Sequence, residues 1–350
     1  MQVGIVTIHH TTNYGAVLQA WALSQAVCKL GHQARIIDYR PTAAVNYFRR
    51  QNTHNVLALA KFIKDWRFHQ FRVKNLRTTE RCNESSDLPA IAQRFDAIIA
   101  GSDQIWAINK IRGFEPNFFL EFAADNPQVR KLAYAASCGE MTTVQDPQQQ
   151  ERIRKALGTF HTILVRDENT AGFVHNLSHQ PADVVLDPTF LGDFSPLHAT
   201  VRDDNYLLVY AELMPQAQQA IRELARSKSL KIISVGYRFK GADKLLPFAG
   251  PQQWFNLIRH ASMVITNFYH GGIFSILNRR DFVFLGRPNK MIKTMSLLKN
   301  LTLEDRWLDD NEISADRLIN FPATNYTPEF EQTISEKTDQ SRSRLRQMLD

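Results

Sequence analysis

The residues best suited to chemistry in this sequence are Thr266-Asn267-Phe268-Tyr269-His270-Gly271-Gly272. An apolar run, Met263-Val264-Ile265, leads in, and Ile273, Phe274, Ile276 and Leu277 lead out at helical spacing. His270 is therefore expected at the carboxyl end of a strand, with Gly271 and Gly272 opening the next helix. Open α/β sheets take ligands at that edge. Glycine lets a ligand approach the backbone, and the first N–H groups of a helix receive anions. A histidine there adds proton transfer to phosphate binding. The same residues also suit a hydrogen-bonded core histidine, and spacing does not choose between the two.

The elements that must position these residues are short apolar strands alternating with helical patterns. Strands are expected over 3–8, 34–38, 97–100, 131–136, 163–165 and 184–186, then over 206–210, 231–235, 263–266 and 282–285. Several are unbroken apolar runs, as in strands covered on both faces. Val17, Ala20, Trp21, Leu23, Val27 and Leu30 share helical spacing, with Asn13 as the cap and Gly31 as the stop. Further helices are expected near 56–76, 147–159, 214–227, 252–260, 289–299 and 328–348. The alternation implies parallel sheets with crossover helices, an α/β fold. A polar stretch between Asp193 and Asn205 marks a junction. It separates an N-terminal Rossmann-like domain over 1–193 from a second over 204–325 that carries His270. A final helix within 326–350 is able to return to the first domain.

Composition narrows the class. The chain has 350 residues, 44% hydrophobic and 22% charged, which suits two globular domains. No apolar run reaches about 18 residues, so no transmembrane helix is expected. The opening residues read as a strand rather than a signal peptide. Cys28, Cys82 and Cys138 are far apart and odd in number, which fits a reducing cytoplasm. No metal-binding pattern appears, and no metal is expected. The net charge is +7, and part of the excess is local. Lys61, Lys64, Arg67, Arg72, Lys74, Arg77 and Arg81 face only Asp65 and Glu80, with Phe62, Trp66, Phe68 and Phe71 interleaved. This reads as a solvated helix with one aromatic face. It also fits docking on an anionic membrane surface or lipid carrier, at the inner face of the membrane. No nucleic-acid recognition motif accompanies the charge.

Six segments together resemble the polysaccharide pyruvyl transferase family. They are the histidine segment itself, Asn13-Tyr14-Gly15-Ala16-Val17-Leu18-Gln19-Ala20, Gly101-Ser102-Asp103-Gln104-Ile105-Trp106, Ala135-Ala136-Ser137-Cys138-Gly139, Val165-Arg166-Asp167-Glu168 and Asp187-Pro188-Thr189-Phe190-Leu191. They fall in the family's order. The resemblance implies a GT-B-like pair of Rossmann-like domains with a cleft between them. It also implies transfer of pyruvate from phosphoenolpyruvate, a co-substrate, to two hydroxyls of a sugar in a surface polysaccharide or a lipid-linked oligosaccharide precursor. No other cofactor is implied.

On that resemblance His270 is the acid and Arg166 binds the donor through its planar fork. Gly271 and Gly272 offer amides to the donor, and Arg287, Lys290 and Lys293 are further cations for it. His9 and Asp103 are candidate bases for an acceptor hydroxyl, and Asn13, Tyr14, Ser102 and Gln104 its binding groups. The plainer readings are an ion pair of Arg166 with Asp167 or Glu168, a helix-capping Asp103, a solvent-facing His10, and surface roles for the three cations. Asp187 reads as structural, and Cys138 has no neighbouring base. Characterised members often carry arginine where Phe268 stands. Two other classes therefore stay open: a nucleotide-sugar glycosyltransferase of GT-B type, and a non-catalytic member that binds a glycan or a partner.

Overall fold

The computed structural model describes residues 1–42, 45, 55–109, 113–124, 126–201, 205–286 and 291–350, with residues 55–60 as backbone only. The described strands form two sheets. The first holds β1 (Gln2–Val6), β2 (Gln33–Ile36), β3 (Ala97–Ala100), β4 (Arg130–Ala136), β5 (Thr162–Val165) and β6 (Asp183–Val184), in the order β2-β1-β3-β4-β5-β6. The second holds β7 (Tyr206–Tyr210), β8 (Lys231–Val235), β9 (Lys244–Leu246), β10 (Met263–Thr266), β11 (Asp281–Gly286) and β12 (Trp307–Asp309), in the order β12-β11-β10-β7-β8-β9. All these pairings are parallel.

Parallel neighbours need crossovers, and helices supply most of them. The described helices are α1 (Tyr14–Lys29), α2 (Asn55–Asn75), α3 (Leu88–Ala92), α4 (Pro147–Leu157), α5 (Glu168–Ser178), α6 (Pro215–Ser227), α7 (Pro251–His260), α8 (Tyr269–Leu277), α9 (Met291–Asn300), α10 (Ala315–Ile319) and α11 (Pro328–Leu349), the last two following β12. Asn13 caps α1 as its sequence indicates, its side chain accepting from Ala16 N at 3.2 Å. The central strands β3, β7 and β10 are buried along their whole length, which is why they read as unbroken apolar runs.

Three strands stop short of their expected ends, β6 ending at Val184 rather than at 186. β1 ends at Val6 and β2 at Ile36, so Thr7–Ile8 and Ile37–Asp38 leave the ladder. Polar side chains take over there: Asp38 N donates to Thr79 Oγ1 at 3.0 Å, and the Thr7 hydroxyl donates to the Ser102 carbonyl at 2.9 Å. Strand extension is thus exchanged for polar loops at the carboxyl edge.

The chain divides into two compact units, one comprising Met1–His54, Arg72–Asp193 and Ile334–Asp350, the other Asn55–Phe71 and Phe194–Thr333. In the first, the end of α11 is tied down by Arg130, whose guanidinium donates to the Met348 and Leu349 carbonyls, both at 2.9 Å. These are carbonyls that a helix end leaves without intrahelical partners. Leu186 N donates to Ser341 Oγ at 3.0 Å, and Arg344 pairs with Asp183 at 3.2 Å.

The basic helix α2 departs from the expected single aromatic face. Phe68 and Phe71 are buried, whereas Phe62 is 65% and Trp66 53% exposed. Among the described residues, no helix is long and apolar enough to cross a membrane.

Candidate active site

Both sheets contain a point where the chain reverses its direction of winding: between β1 and β3 in the first, and between β7 and β10 in the second. Loops leaving adjacent strands at such a point diverge, and ligands of open α/β sheets bind there. His9, Asn13, Tyr14, Ser102, Asp103 and Gln104 fall on the first of these edges and His270, Gly271 and Gly272 on the second, whereas Arg166 follows β5.

In the second unit the loop ends are joined by Asn267. Its Nδ2 donates to the Glu212 carbonyl at 2.7 Å, and Glu212 N donates back to its Oδ1 at 3.2 Å. His270 follows in the first turn of α8, 9% exposed. Its ring meets the Tyr269 ring edge-on at 5.4 Å, and the Lys293 ammonium lies 5.9 Å from the centre of the Tyr269 ring. A cation therefore stands near the histidine turn. Phe268 is half-buried in an aromatic group, stacked on Tyr237 at 4.8 Å and packed on Tyr210 at 4.7 Å.

The two glycines serve packing rather than ligand approach. Gly271 N and Gly272 N both donate to the Phe268 carbonyl, at 2.8 and 3.2 Å. A Cβ on Gly271 would lie 2.2 Å from Thr266 Oγ1, and one on Gly272 would lie 3.1 Å from the Phe284 ring. Glycine is needed so that α8 can lie directly on β10 and β11. The expectation that these amides face an anion is corrected accordingly. Arg287 and Lys290 lie outside the described residues.

In the first unit Thr7, Gln19 and Ser102 join β1, α1 and β3. Gln19 Nε2 donates to Thr7 Oγ1 at 2.9 Å and to the Ala16 carbonyl at 2.8 Å, while the Ser102 hydroxyl donates to Gln19 Oε1. Ser102 and Tyr14 are buried, and the Asn13 carboxamide is committed to its cap. Of the expected acceptor-binding groups, only Gln104 keeps partial exposure without a capping duty. His9 is 1% exposed, and both its nitrogens face acceptors: the Thr7 carbonyl at 3.0 Å and Asp38 Oδ1 at 2.9 Å. Arg40 closes on the same carboxylate with two hydrogen bonds, at 2.6 and 2.8 Å. Despite burial, hydrogen bonds from His9 and Arg40 hold the Asp38 carboxyl far below the usual range. His9 is thus a structural partner of Asp38, not a base presented to solvent.

The partners seen for Arg166 are distant in sequence. Its buried guanidinium lies 3.2 Å from Asp187 and 3.6 Å from Asp103. Asp167 instead caps α5, accepting from Thr170 N at 2.8 Å, and accepts from the Ser137 hydroxyl at 2.7 Å. Asp103 has φ +78°, a left-handed conformation that aspartate tolerates better than most residues, and its side chain is 18% exposed. The Cys138 thiol, pushed up to about 12 mainly by burial, is unsuited to nucleophilic attack.

His10 and Thr11 hold a feature the sequence did not signal. A solvent-facing His10 was one reading of the sequence, yet both of its ring nitrogens are shielded, as is Thr11 Oγ1, and among the described residues none of the three has a hydrogen-bond partner.

The family model for polysaccharide pyruvyl transferases matches residues 13–289, which takes in β3 of the first switch point and the whole of the second. The chain belongs to that family. As a member it is a transferase of polysaccharide biosynthesis. Comparison with curated protein sequences gives no match. Solved structures share the fold at low sequence identity. The UDP-GlcNAc 2-epimerase of Neisseria meningitidis, bound to UDP-GlcNAc, aligns at 8% identity and TM-score 0.58 over 100% of this chain and 99% of its own. The S. aureus MnaA–UDP structure aligns at 9% and 0.55, over 99% and 95%. The UDP-GlcNAc 2-epimerase of Methanocaldococcus jannaschii, in complex with UDP-GlcNAc and UDP, aligns at 11% and 0.54, over 100% and 99%. The likeness establishes a GT-B-type α/β fold with two Rossmann-like units.

Proposed function

We propose that the chain transfers pyruvate from phosphoenolpyruvate to two hydroxyls of one sugar, forming a ketal, with His270 as the acid. The observation that carries this reading is the placement of His270 at the carboxyl edge of β10, at the switch point of the second sheet. Imidazole changes charge near neutral pH, so it can deliver and recover a proton there. A proton added to C3 of phosphoenolpyruvate leaves C2 electrophilic. One hydroxyl attacks C2, the C2–O bond to phosphate breaks, and the second hydroxyl closes the ring. The two hydroxyls release two protons: one restores the acid and the other leaves with phosphate.

Lys293 is a described cation beside this turn and supplies charge for the donor's carboxylate or phosphate. Arg166 is the weaker candidate, because two carboxylates already balance its charge. Phe268 and Tyr237 present a half-exposed aromatic face where characterised members often carry arginine. Such a face suits the C–H side of a pyranose ring. In the first unit Asp103 and Gln104 are the groups that suit acceptor hydroxyls. The exposed Phe62 and Trp66, one turn apart on the basic helix α2, suit an anionic membrane surface and with it a lipid-linked acceptor.

The test is phosphate release from phosphoenolpyruvate in the presence of an acceptor panel, followed by mass analysis of the glycan. Acceptor-dependent release with a ketal product supports the reading. Binding of a nucleotide sugar but not of phosphoenolpyruvate, with or without acceptor, overturns it in favour of glycosyl transfer.

A further inference from the structure

The turn between β1 and α1 contains three shielded polar atoms on two successive residues, His10 Nδ1, His10 Nε2 and Thr11 Oγ1, and none has a partner among the described residues. Buried polar groups in native proteins are nearly always satisfied, because each unmet one forfeits its hydration. One orphan is ordinary; three side by side at a switch-point edge indicate that something else completes the site.

The surroundings fix the chemistry of what completes it. Arg72 reaches the same turn, its Nη1 donating to the Thr11 carbonyl at 3.4 Å. Arg40 lies near, held on Asp38 together with His9, and the His9 and His10 rings meet at 5.6 Å. Burial, then His9, Arg40 and Arg72, disfavour a proton on His10, and Asp38 opposes them only in part; the imidazole is pushed down to about 3. His10 is therefore neutral at physiological pH, with one N–H to donate. The Arg72 guanidinium, a neutral N–H and a hydroxyl make a site rich in donors, and Arg40 already balances the Asp38 carboxylate beside it.

We propose that the β1–α1 turn of the first unit is a phosphate-binding site, in which His10 and Thr11 Oγ1 donate to phosphate oxygens beside the guanidinium groups of Arg40 and Arg72. Arginine recognises phosphate through its fork, and hydroxyl and imidazole donors complete its oxygens. The site stands whether or not phosphoenolpyruvate is the donor at His270, since no residue is shared.

Calorimetry on the full chain tests it with three probes: inorganic phosphate, phosphoenolpyruvate and glucose 1-phosphate. At least one should bind, and Thr11→Val and Arg72→Gln should each weaken that binding about tenfold. Arg154→Gln, an exposed arginine paired with Glu151, should not change it. Tightest binding of phosphoenolpyruvate would identify the donor as the source of the phosphate. Tightest binding of glucose 1-phosphate would identify a phosphorylated acceptor, and equal binding of all three would identify the released product. Thr11→Val is nearly isosteric and keeps the test valid if Arg72→Gln fails to fold. No binding of any probe, or affinity unchanged in Thr11→Val, would show that an ordered water alone meets these atoms, and the inference falls. Phosphate binding retained in His270→Gln, with turnover lost, would separate this site from the proposed catalytic one.

Discussion

Gly271→Ala distinguishes the two roles open to a glycine beside His270. Away from other groups, alanine would stabilise a helix by about 1 kcal/mol over glycine. Here the added methyl would lie 2.2 Å from Thr266 Oγ1, 2.9 Å from its Cβ and 3.1 Å from its Cγ2. The first two distances are below any real carbon contact, and the obstacle is a short β-branched side chain on a buried strand. Thr266 Oγ1 also accepts from Phe268 N at 3.1 Å, so its rotation would break the bond that holds the helix entry. Overpacking of this kind costs about 1–3 kcal/mol. After the propensity gain is subtracted, a net loss of up to about 2 kcal/mol is expected. Thermal unfolding would show this as a lower melting temperature. Thr266→Ala removes Oγ1 and Cγ2, so the double variant should be less destabilised than the sum of the singles, by about 1 kcal/mol. A melting temperature unchanged or raised in Gly271→Ala, with activity lost, would refute the packing argument and restore the glycine to ligand contact.

Four further outcomes follow from the same geometry. His270→Gln should keep the fold and lower turnover about 10²-fold or more in a phosphoenolpyruvate-dependent assay; an unchanged rate would make the residue structural. Asp187→Ala strips the nearer carboxylate from buried Arg166 and should destabilise the first unit by about 3–5 kcal/mol in chemical denaturation, whereas a loss near zero would mean that Asp103 suffices. His10 has a folded-state proton affinity below that of the unfolded chain, so the unfolded chain gains the proton first; stability is full above about 6.5 and declines as pH falls towards about 3. His10→Gln should flatten the melting temperature across that range, and an identical slope would remove His10 from the account. Phe62→Ser with Trp66→Ser should abolish sedimentation with anionic vesicles while leaving the melting temperature within a degree or two; equal sedimentation would exclude α2 as the membrane contact.

Sequence patterns located the frame more readily than the contacts. β7, β8 and β10 occupy the ranges their apolar runs indicate, because a strand covered on both faces has little freedom in composition. β9 and β12 escaped notice: Lys244-Leu245-Leu246 and Trp307-Leu308-Asp309 are three residues each, and their extended form comes from pairing with β8 and β11. His270 was placed correctly on its strand-to-helix turn, since neighbours in sequence define that turn. The partners of Arg166 were not legible. Asp103 and Asp187 are distant in sequence, and a parallel sheet brings strand ends together without leaving a local trace. Asn267 and Gln19 stood within noted segments, but their roles as clamps depend on Glu212 and Ser102 across the switch points. His10 misled for the opposite reason: a polar residue in a loop suggests solvent, and only the fold buries it beside His9, Arg40 and Arg72.

The composition of the first unit, with residues 334–350 completing it, has a consequence for biosynthesis. Domains commonly fold in the order in which they are made. Here the segment that carries Ser341, Arg344 and the carbonyls held by Arg130 is made after the whole of the second unit. The earlier-made sheet must wait for its last helix, and β4 and β6 lack that partner throughout elongation. Expressing 1–193 alone would reproduce this waiting state. Adding the 334–350 segment in trans should relieve it.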